Sequence, residues 1–177
     1  MQASLTRAGT ALALLLVTAT ASVAQDVRAS FLNDFERQRA NVLAYVDAMP
    51  EAGLRTAPTD GVRDFAQQIE HIVGGAVNIT ASGVDRSATG LGDPEVYLNS
   101  KTALAEFVNA GFDQVIGMVE SSTDESLMEE GNLFGTPKAN WLIIKTAYEH
   151  GVWTLGATVP YLRLQGATPP GYNVISG

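Results

Sequence analysis

The chain has 177 residues, 46% of them hydrophobic, a formal net charge of −8 and no cysteine. This length and composition are typical of one globular domain and exclude a wholly disordered chain. A negative surface repels phosphate groups, so neither nucleic-acid binding nor stable association with anionic membranes is expected. The missing cysteines exclude disulfides, thiolate nucleophiles and thiolate metal ligands.

The first 24 residues have the three parts of a secretory signal peptide. Arg7 is the only charged residue in this segment, an apolar run follows over residues 10–21, and small residues precede a cut after Ala24. The apolar run is shorter than the about 20 residues of a membrane span. The sequence therefore predicts an exported protein, periplasmic or secreted, whose mature domain covers residues 25–177, with Ala21 as the alternative cleavage position.

The first two of four predicted helices follow. The first runs from about Asp26 to Met49, and Pro50 ends it. Its apolar face consists of Phe31, Phe35, Val42, Tyr45 and Met49, with Gln38 interrupting the series. The second helix runs from about Gly61 to Ser82 after Asp60, a plausible N-cap. Its seam consists of Val62, Phe65, Ile69, Ile72, Ala76 and Ile79.

A turn-rich stretch from Gly83 to Asn99 separates the second helix from the third, which is predicted from Lys101 to Ser121 with Ser100 as its cap. An acidic linker then leads to a fourth helix. It is predicted to begin at Thr136-Pro137 and to reach Gln165, because Thr is a good N-cap and Pro is favoured at the first helical position. No strand is predicted. Four amphipathic helices of this length indicate an all-α four-helix bundle.

The two histidines of the chain, His71 and His150, lie in the middle of the second and fourth helices. Gly74 and Gly75 follow His71, and they predict space for a neighbouring helix or a bound group close to the backbone. His71 lies on a polar stripe with Gln67 and Asn78, whereas His150 lies on the predicted inner face of the fourth helix, which also carries Thr154 and Tyr161. Periodicity alone favours two hydrogen-bonded structural histidines, because a usual metal site has three or more protein ligands.

Two segments near the C-terminus resemble the last helix of the DinB-like (YfiT-like) family. They are Ala147-Tyr148-Glu149-His150-Gly151-Val152-Trp153-Thr154-Leu155-Gly156 and the Tyr-Leu-Arg, Gly and Pro-Pro pattern of residues 161–170. The stretch from Val62 to Ile72 is similar to the family segment that carries its first histidine. The resemblance covers nearly all of the mature chain and implies an up-and-down-type bundle.

The resemblance also implies a metal site between the second and fourth helices. His71 and His150 match two of its three histidine ligands, and Thr154 stands at the third position. The implied cofactor is a divalent ion, zinc or nickel, which is weakly bound or absent because a threonine hydroxyl is a poor ligand for either. Gln67, Asn78, Trp153 and Tyr161 are the predicted pocket lining, although core packing is the favoured expectation for Trp153.

Three functions remain open at this point. The first is an exported DinB-like protein with a degenerate metal site that binds a small molecule. The second is a non-enzymatic bundle that has lost metal and acts by ligand binding or homodimerisation. The third is an active enzyme, which requires another strong ligand, and the loop with Asp85, Asp93 and Glu95 is the predicted source. Some relatives are metal-dependent thiol transferases or isomerases, an activity expected in the cytoplasm and therefore not expected in an exported chain.

Overall fold

The computed structural model describes residues 27–84 and 87–174, so the predicted signal peptide and Asp85 lie outside the described residues. Four long helices form the body of the protein. They are α1 over 27–48, α2 over Phe65–Gly83, α4 over Lys101–Glu120 and α6 over Asn140–Gly156. The shorter elements are a 3-10 turn at Glu51–Gly53, α3 at Pro94–Tyr97, α5 at Asp124–Met128, the strands β1 at Glu130–Leu133 and β2 at Thr136–Ala139, and α7 at Val159–Leu164. The predicted all-α bundle is confirmed.

In the two described ranges, no helix combines the length and the apolar character needed to cross a membrane.

The predicted apolar face of α1 is buried along its whole length, from Phe31 to Met49. Gln38, which interrupts the series, is fully buried as well. Its amide donates a hydrogen bond of 3.0 Å to the backbone carbonyl of Tyr148 in α6. This bond joins the first and last long helices and offsets part of the cost of burying the side chain, whose Oε1 has no hydrogen-bond partner among the described residues.

Helix α2 begins four residues later than predicted, at Phe65, and Asp64 is its N-cap instead of Asp60. The Asp64 carboxylate accepts a hydrogen bond of 2.8 Å from the Gln67 backbone, and the Gln67 side chain accepts one of 3.0 Å from the Asp64 backbone. This reciprocal capping box satisfies two amides that the first helical turn leaves free. Gly61, with a φ of +81°, belongs to the preceding turn.

Helices α2 and α4 begin at the same end of the bundle. Arg55 donates hydrogen bonds both to Asp64, the cap of α2, at 2.7 Å and to Asn99, just before α4, at 3.0 Å. Helix α4 runs antiparallel to α1, since Arg39 pairs with Asp113 and the end of α1 lies beside Lys101. The long helices therefore follow an up-down-down-up order, whereas the resemblance implied an up-and-down bundle.

The long connection between α2 and α4 explains this order, because it must return the chain along the bundle. Gln114 in α4 exchanges two hydrogen bonds with the backbone of Thr89, and Leu91 lies against Gly111. Tyr97 of α3 then stacks on Phe107, with ring centroids 4.1 Å apart. The predicted turn-rich loop thus packs along α4 and contains one short helix.

The expectation of no strand is wrong, as is the predicted start of the fourth helix at Thr136-Pro137. These residues belong to β2, which pairs antiparallel with β1, and Glu130 faces Ala139 across the ladder. Phe134 and Gly135 connect the strands with positive φ values of 51° and 85°. A two-residue turn with positive φ at both positions matches the twist of a hairpin, which is why this segment forms strands in place of a first helical turn.

The predicted fourth helix is interrupted: α6 ends at Gly156 and α7 starts at Val159. Pro160 lies in the first turn of α7, where its missing N–H has no helical partner to lose. Gly166, with a φ of +71°, follows the end of α7 as predicted. The two residues of the break, Ala157 and Thr158, keep right-handed helical dihedrals, and their amides bond to carbonyls three residues earlier.

The C-terminal segment after α7 returns to α1. Asn41, which is buried, donates a hydrogen bond of 3.1 Å to the Asn173 carbonyl and accepts one of 3.0 Å from the Asn173 amide. The hydroxyls of Tyr172 and Tyr148 lie 3.5 Å apart beside this pair. The segment is therefore fastened across α1 and α6.

Candidate functional site

His71 of α2 and His150 of α6 meet between these two helices, and both are half-buried. Their Nε2 atoms are 3.2 Å apart, and the two rings are nearly perpendicular, with centroids at 4.8 Å. Because α2 and α6 run antiparallel, residues 79 positions apart in the chain reach the same level. The two nitrogens can share one proton in a hydrogen bond or share one ion between their lone pairs.

Gly75 provides the space for the His150 ring. A Cβ built on Gly75 would contact Cε1 of that ring and would lie 2.6 Å from its Nδ1, whereas a Cβ on Gly74 would have no atom within 4 Å. The predicted role of the glycine pair as a place of close approach therefore applies to Gly75 alone. What approaches the backbone is the imidazole of the neighbouring helix.

Burial and a nearby cation keep both imidazoles neutral. Desolvation lowers the pKa of His71 below 6.5, and Arg63 and His150 lower it further, while Glu70 acts in the opposite direction. Desolvation and then Arg63 lower the pKa of His150 as well. At neutral pH each ring therefore has a free lone pair, which is the form that binds a metal ion.

The Nδ1 atom of His150 is buried and has no hydrogen-bond partner among the described residues. Histidines that bind metals usually donate a hydrogen bond from their second ring nitrogen to a carboxylate or carbonyl, which fixes the ring and raises its basicity. Loss of such a partner typically costs about 10–100-fold in metal affinity. The environment of His150 thus weakens the site on the side opposite to His71.

A small cavity opens from the histidine pair to the surface. It has a volume of about 160 Å³, and its lining consists of Arg63, Gln68, His71, Trp153, Thr154 and Ala157. Thr154 is 7% exposed, and its position on α6 is one turn after His150. The structure thus brings together His71, His150 and Thr154, the three positions that the sequence singled out.

Two of the predicted lining residues lie elsewhere. Gln67 closes the capping box of α2, and Asn78 is exposed on the outer side of that helix. Trp153 does line the cavity, but its side chain is 80% exposed, so the expectation of core packing is wrong. The helix carries Trp153 outwards because the neighbouring residues Thr154 and Leu155 occupy the buried side.

Tyr161 does not line the cavity, but it holds two residues that do. Its hydroxyl donates a hydrogen bond of 2.9 Å to the Arg63 carbonyl and accepts one of 3.1 Å from the Gln68 amide. Sequence reasoning missed both Arg63 and Gln68. The position of Gln68, three residues before His71, is also one helical turn away, and this spacing was the available signal.

The donor set fits a divalent ion in part. Two nitrogens that bind one tetrahedral zinc at about 2.0–2.1 Å are separated by roughly 3.3 Å, close to the 3.2 Å between the two Nε2 atoms. Within residues 27–84 and 87–174, however, no group of three or more His, Asp or Glu side chains could hold a metal ion. The predicted loop carboxylates Asp93 and Glu95 therefore do not complete the site, and Asp93 instead caps α3.

The lowered pKa values predict a stability that falls with acidification. A histidine whose folded-state pKa is below its unfolded value contributes fully above about pH 6.5, and the contribution is lost as pH falls through the folded pKa. We expect the free energy of unfolding of the metal-free protein, prepared with a chelator, to decrease as the pH is lowered from 7.5 to 5.5. Urea unfolding at several pH values measures it, and an equal decrease in a His71→Gln/His150→Gln variant would contradict this origin.

A family model and two solved structures relate this chain to DinB-like proteins. The sequence model of the DinB superfamily matches residues 34–156. A DinB-like protein from Bacillus cereus ATCC 10987 has a similar structure, with a TM-score of 0.70, 20% identity, and coverage of 81% of this chain and 95% of that chain. A DinB-like protein from Bacillus subtilis gives a TM-score of 0.67 and 18% identity, with coverage of 81% and 97%. A comparison with curated protein sequences finds no significant match.

Proposed function

We propose that this chain, which belongs to the DinB superfamily, binds a divalent metal ion weakly through His71 and His150. The single observation that carries the proposal is the distance of 3.2 Å between the two Nε2 atoms, which suits two ligands of one zinc ion. Neutral imidazoles suit zinc or nickel better than calcium or magnesium, which prefer oxygen. The role is that of an exported protein that holds a small ligand beside this ion.

The side chains around the histidine pair would have different parts in this function. His71 and His150 would hold the ion, and the Thr154 hydroxyl would face the remaining coordination positions as a weak ligand or as a hydrogen-bond partner for bound water. A bound ion would act as a Lewis acid toward a ligand oxygen or sulfur. Gln68, held by Tyr161, gives the pocket a fixed polar wall on the α2 side.

The affinity should be modest. Structural zinc sites with four ligands have binding free energies of about 10–16 kcal/mol. Two imidazoles supply about half of such a set, and about 5–8 kcal/mol corresponds to a Kd of roughly 1–200 µM. The Nδ1 atom of His150, which has no hydrogen-bond partner among the described residues, also lowers the expected affinity for zinc. Weak binding is thus the expected property of this pocket.

Equilibrium dialysis against zinc at pH 7.5 tests the proposal. We expect one zinc per chain in the parent protein and none above background in a His71→Ala/His150→Ala variant, with circular dichroism to establish that both are folded. Because the chain has two histidines, the imidazole C2–H signals in the proton NMR spectrum report the site directly, and both should shift with zinc. Equal zinc retention in the parent and the variant would refute the proposal.

A further inference from the structure

Arg63, at the mouth of the cavity, has no ion-pair partner among the described residues. Most described cations are paired, and these are Arg28, Arg37, Arg39, Arg55, Lys101 and Lys145. The full chain has 19 acidic residues against 11 basic ones, so a carboxylate partner is the ordinary arrangement in this protein. The guanidinium of Arg63 therefore remains available to a partner from outside the chain.

The cavity lining contains no acidic residue, although the protein as a whole is acidic. Arg63 is close enough to the histidines to lower the pKa of both, so its positive field reaches the floor of the pocket. An anion that enters this cavity meets one full positive charge and no negative side chain in the lining. The same charge acts against a cation in the pocket, which is a further reason for weak binding of a divalent ion.

Trp153 forms the rim on the α6 side of the same cavity. Its indole is 80% exposed, which leaves a large flat apolar surface in contact with water. An aromatic ring that stacks on this indole would bury part of that surface and would add a favourable ring–ring geometry. The volume of about 160 Å³ suits a single six-membered ring, since a cavity of about 150 Å³ can hold benzene.

We propose that Arg63 and Trp153 form a subsite for a small aromatic carboxylate, with the carboxylate on the guanidinium and the ring against the indole. This assignment rests on the proposed function, because it names the ligand class of the pocket beside His71 and His150. Arg suits the role, as its planar fork matches the two oxygens of a carboxylate. Thr154 and Gln68 supply the polar groups that the rest of the ligand would meet.

The test compares benzoate with benzamide, its neutral analogue of the same shape, by ligand-observed NMR titration of the protein both without zinc and in the presence of zinc. Benzoate should bind about three- to tenfold more tightly than benzamide, the range expected for a charge-assisted pair that is partly exposed. Arg63→Gln should remove this preference. Arg163→Gln should retain it, because Arg163 is another exposed arginine without an ion pair among the described residues but does not line the cavity.

Trp153→Ala should weaken benzoate and benzamide equally, since it removes the stacking surface and leaves the charge in place. Equal affinities of the two ligands for the parent protein would overturn the subsite, as would an equal response of the Arg63→Gln and Arg163→Gln variants. Zinc dialysis separates this proposal from the first. Zinc retention without a benzoate preference would support the metal site and refute the anion subsite. A benzoate preference that Arg63→Gln removes, without zinc retention, would support the anion subsite and refute the metal site.

Discussion

Thr154→His should raise the affinity for zinc by at least about 100-fold, because a third imidazole would join the two already in contact. Position 154 follows His150 by four residues in the same helix, and two histidines at this spacing lie on one helical face in known zinc sites. The position already lines the cavity with His71, so the new ring enters the site instead of the solvent. Competition with a chelating zinc indicator measures the change.

Two matched variants test whether the gain in zinc affinity requires an imidazole at position 154. One removes the Thr154 hydroxyl, and the other places an imidazole elsewhere in the cavity. Thr154→Val removes the hydroxyl with little change in shape, and zinc affinity should change by less than about threefold if the hydroxyl is a weak ligand. Ala157→His adds an imidazole to the same cavity from a residue beyond the end of α6. A gain with Ala157→His as large as with Thr154→His would show that position 154 has no special geometry.

Gly75→Ala should lower the zinc affinity at least about tenfold and should be less stable than the matched Gly74→Ala variant. The new methyl group would occupy the space of the His150 ring, so the ring must move by several tenths of an ångström, and metal sites tolerate only about 0.2 Å in their ligand distances. Crowding of this kind in a packed interior costs about 1–3 kcal/mol. Zinc dialysis and urea unfolding measure the two effects.

Gly74→Ala is the control for this substitution. It makes the same chemical change in the same helix, but the added methyl group meets no atom within 4 Å. Alanine is favoured over glycine in a helix by about 1 kcal/mol in both variants, so this gain cancels and the two should differ in unfolding free energy by about 1–3 kcal/mol. Equal zinc affinities for the two variants would show that Gly75 does not set the position of His150.

The helices could be predicted from the sequence where a single physical signal dominates. The apolar repeat of α1 and the Ser100 cap of α4 are such cases, and both are confirmed. The hairpin was missed because Thr136-Pro137 satisfies the local rule for a helix start, while the positive φ values at Phe134 and Gly135 depend on strand pairing. The parallel course of α2 and α4 follows from contacts between distant residues, which periodicity does not contain.

The residues around the candidate site differ in whether the sequence could indicate them. The DinB-like resemblance indicated His71, His150 and Thr154; His71 and Thr154 line one cavity, and His150 contacts His71. Gln67 was assigned to this pocket because spacings of three and four residues both define a helical face. In the structure, Gln67 belongs to the capping box of α2, and Gln68 lines the cavity in its place. Arg63 precedes the helix, so no helical pattern could have placed it.

The attachment of the C-terminal segment to α1 affects the order in which the protein can fold during synthesis. The two hydrogen bonds between Asn41 and Asn173 join residues 132 positions apart, and Gln38 bonds to a carbonyl 110 positions later. Helix α1 is made before α6 and the C-terminal segment, so these long-range bonds can form only after most of the domain has been synthesised. The attachment of α1 at Gln38 and Asn41 is therefore completed only when the last part of the domain is available.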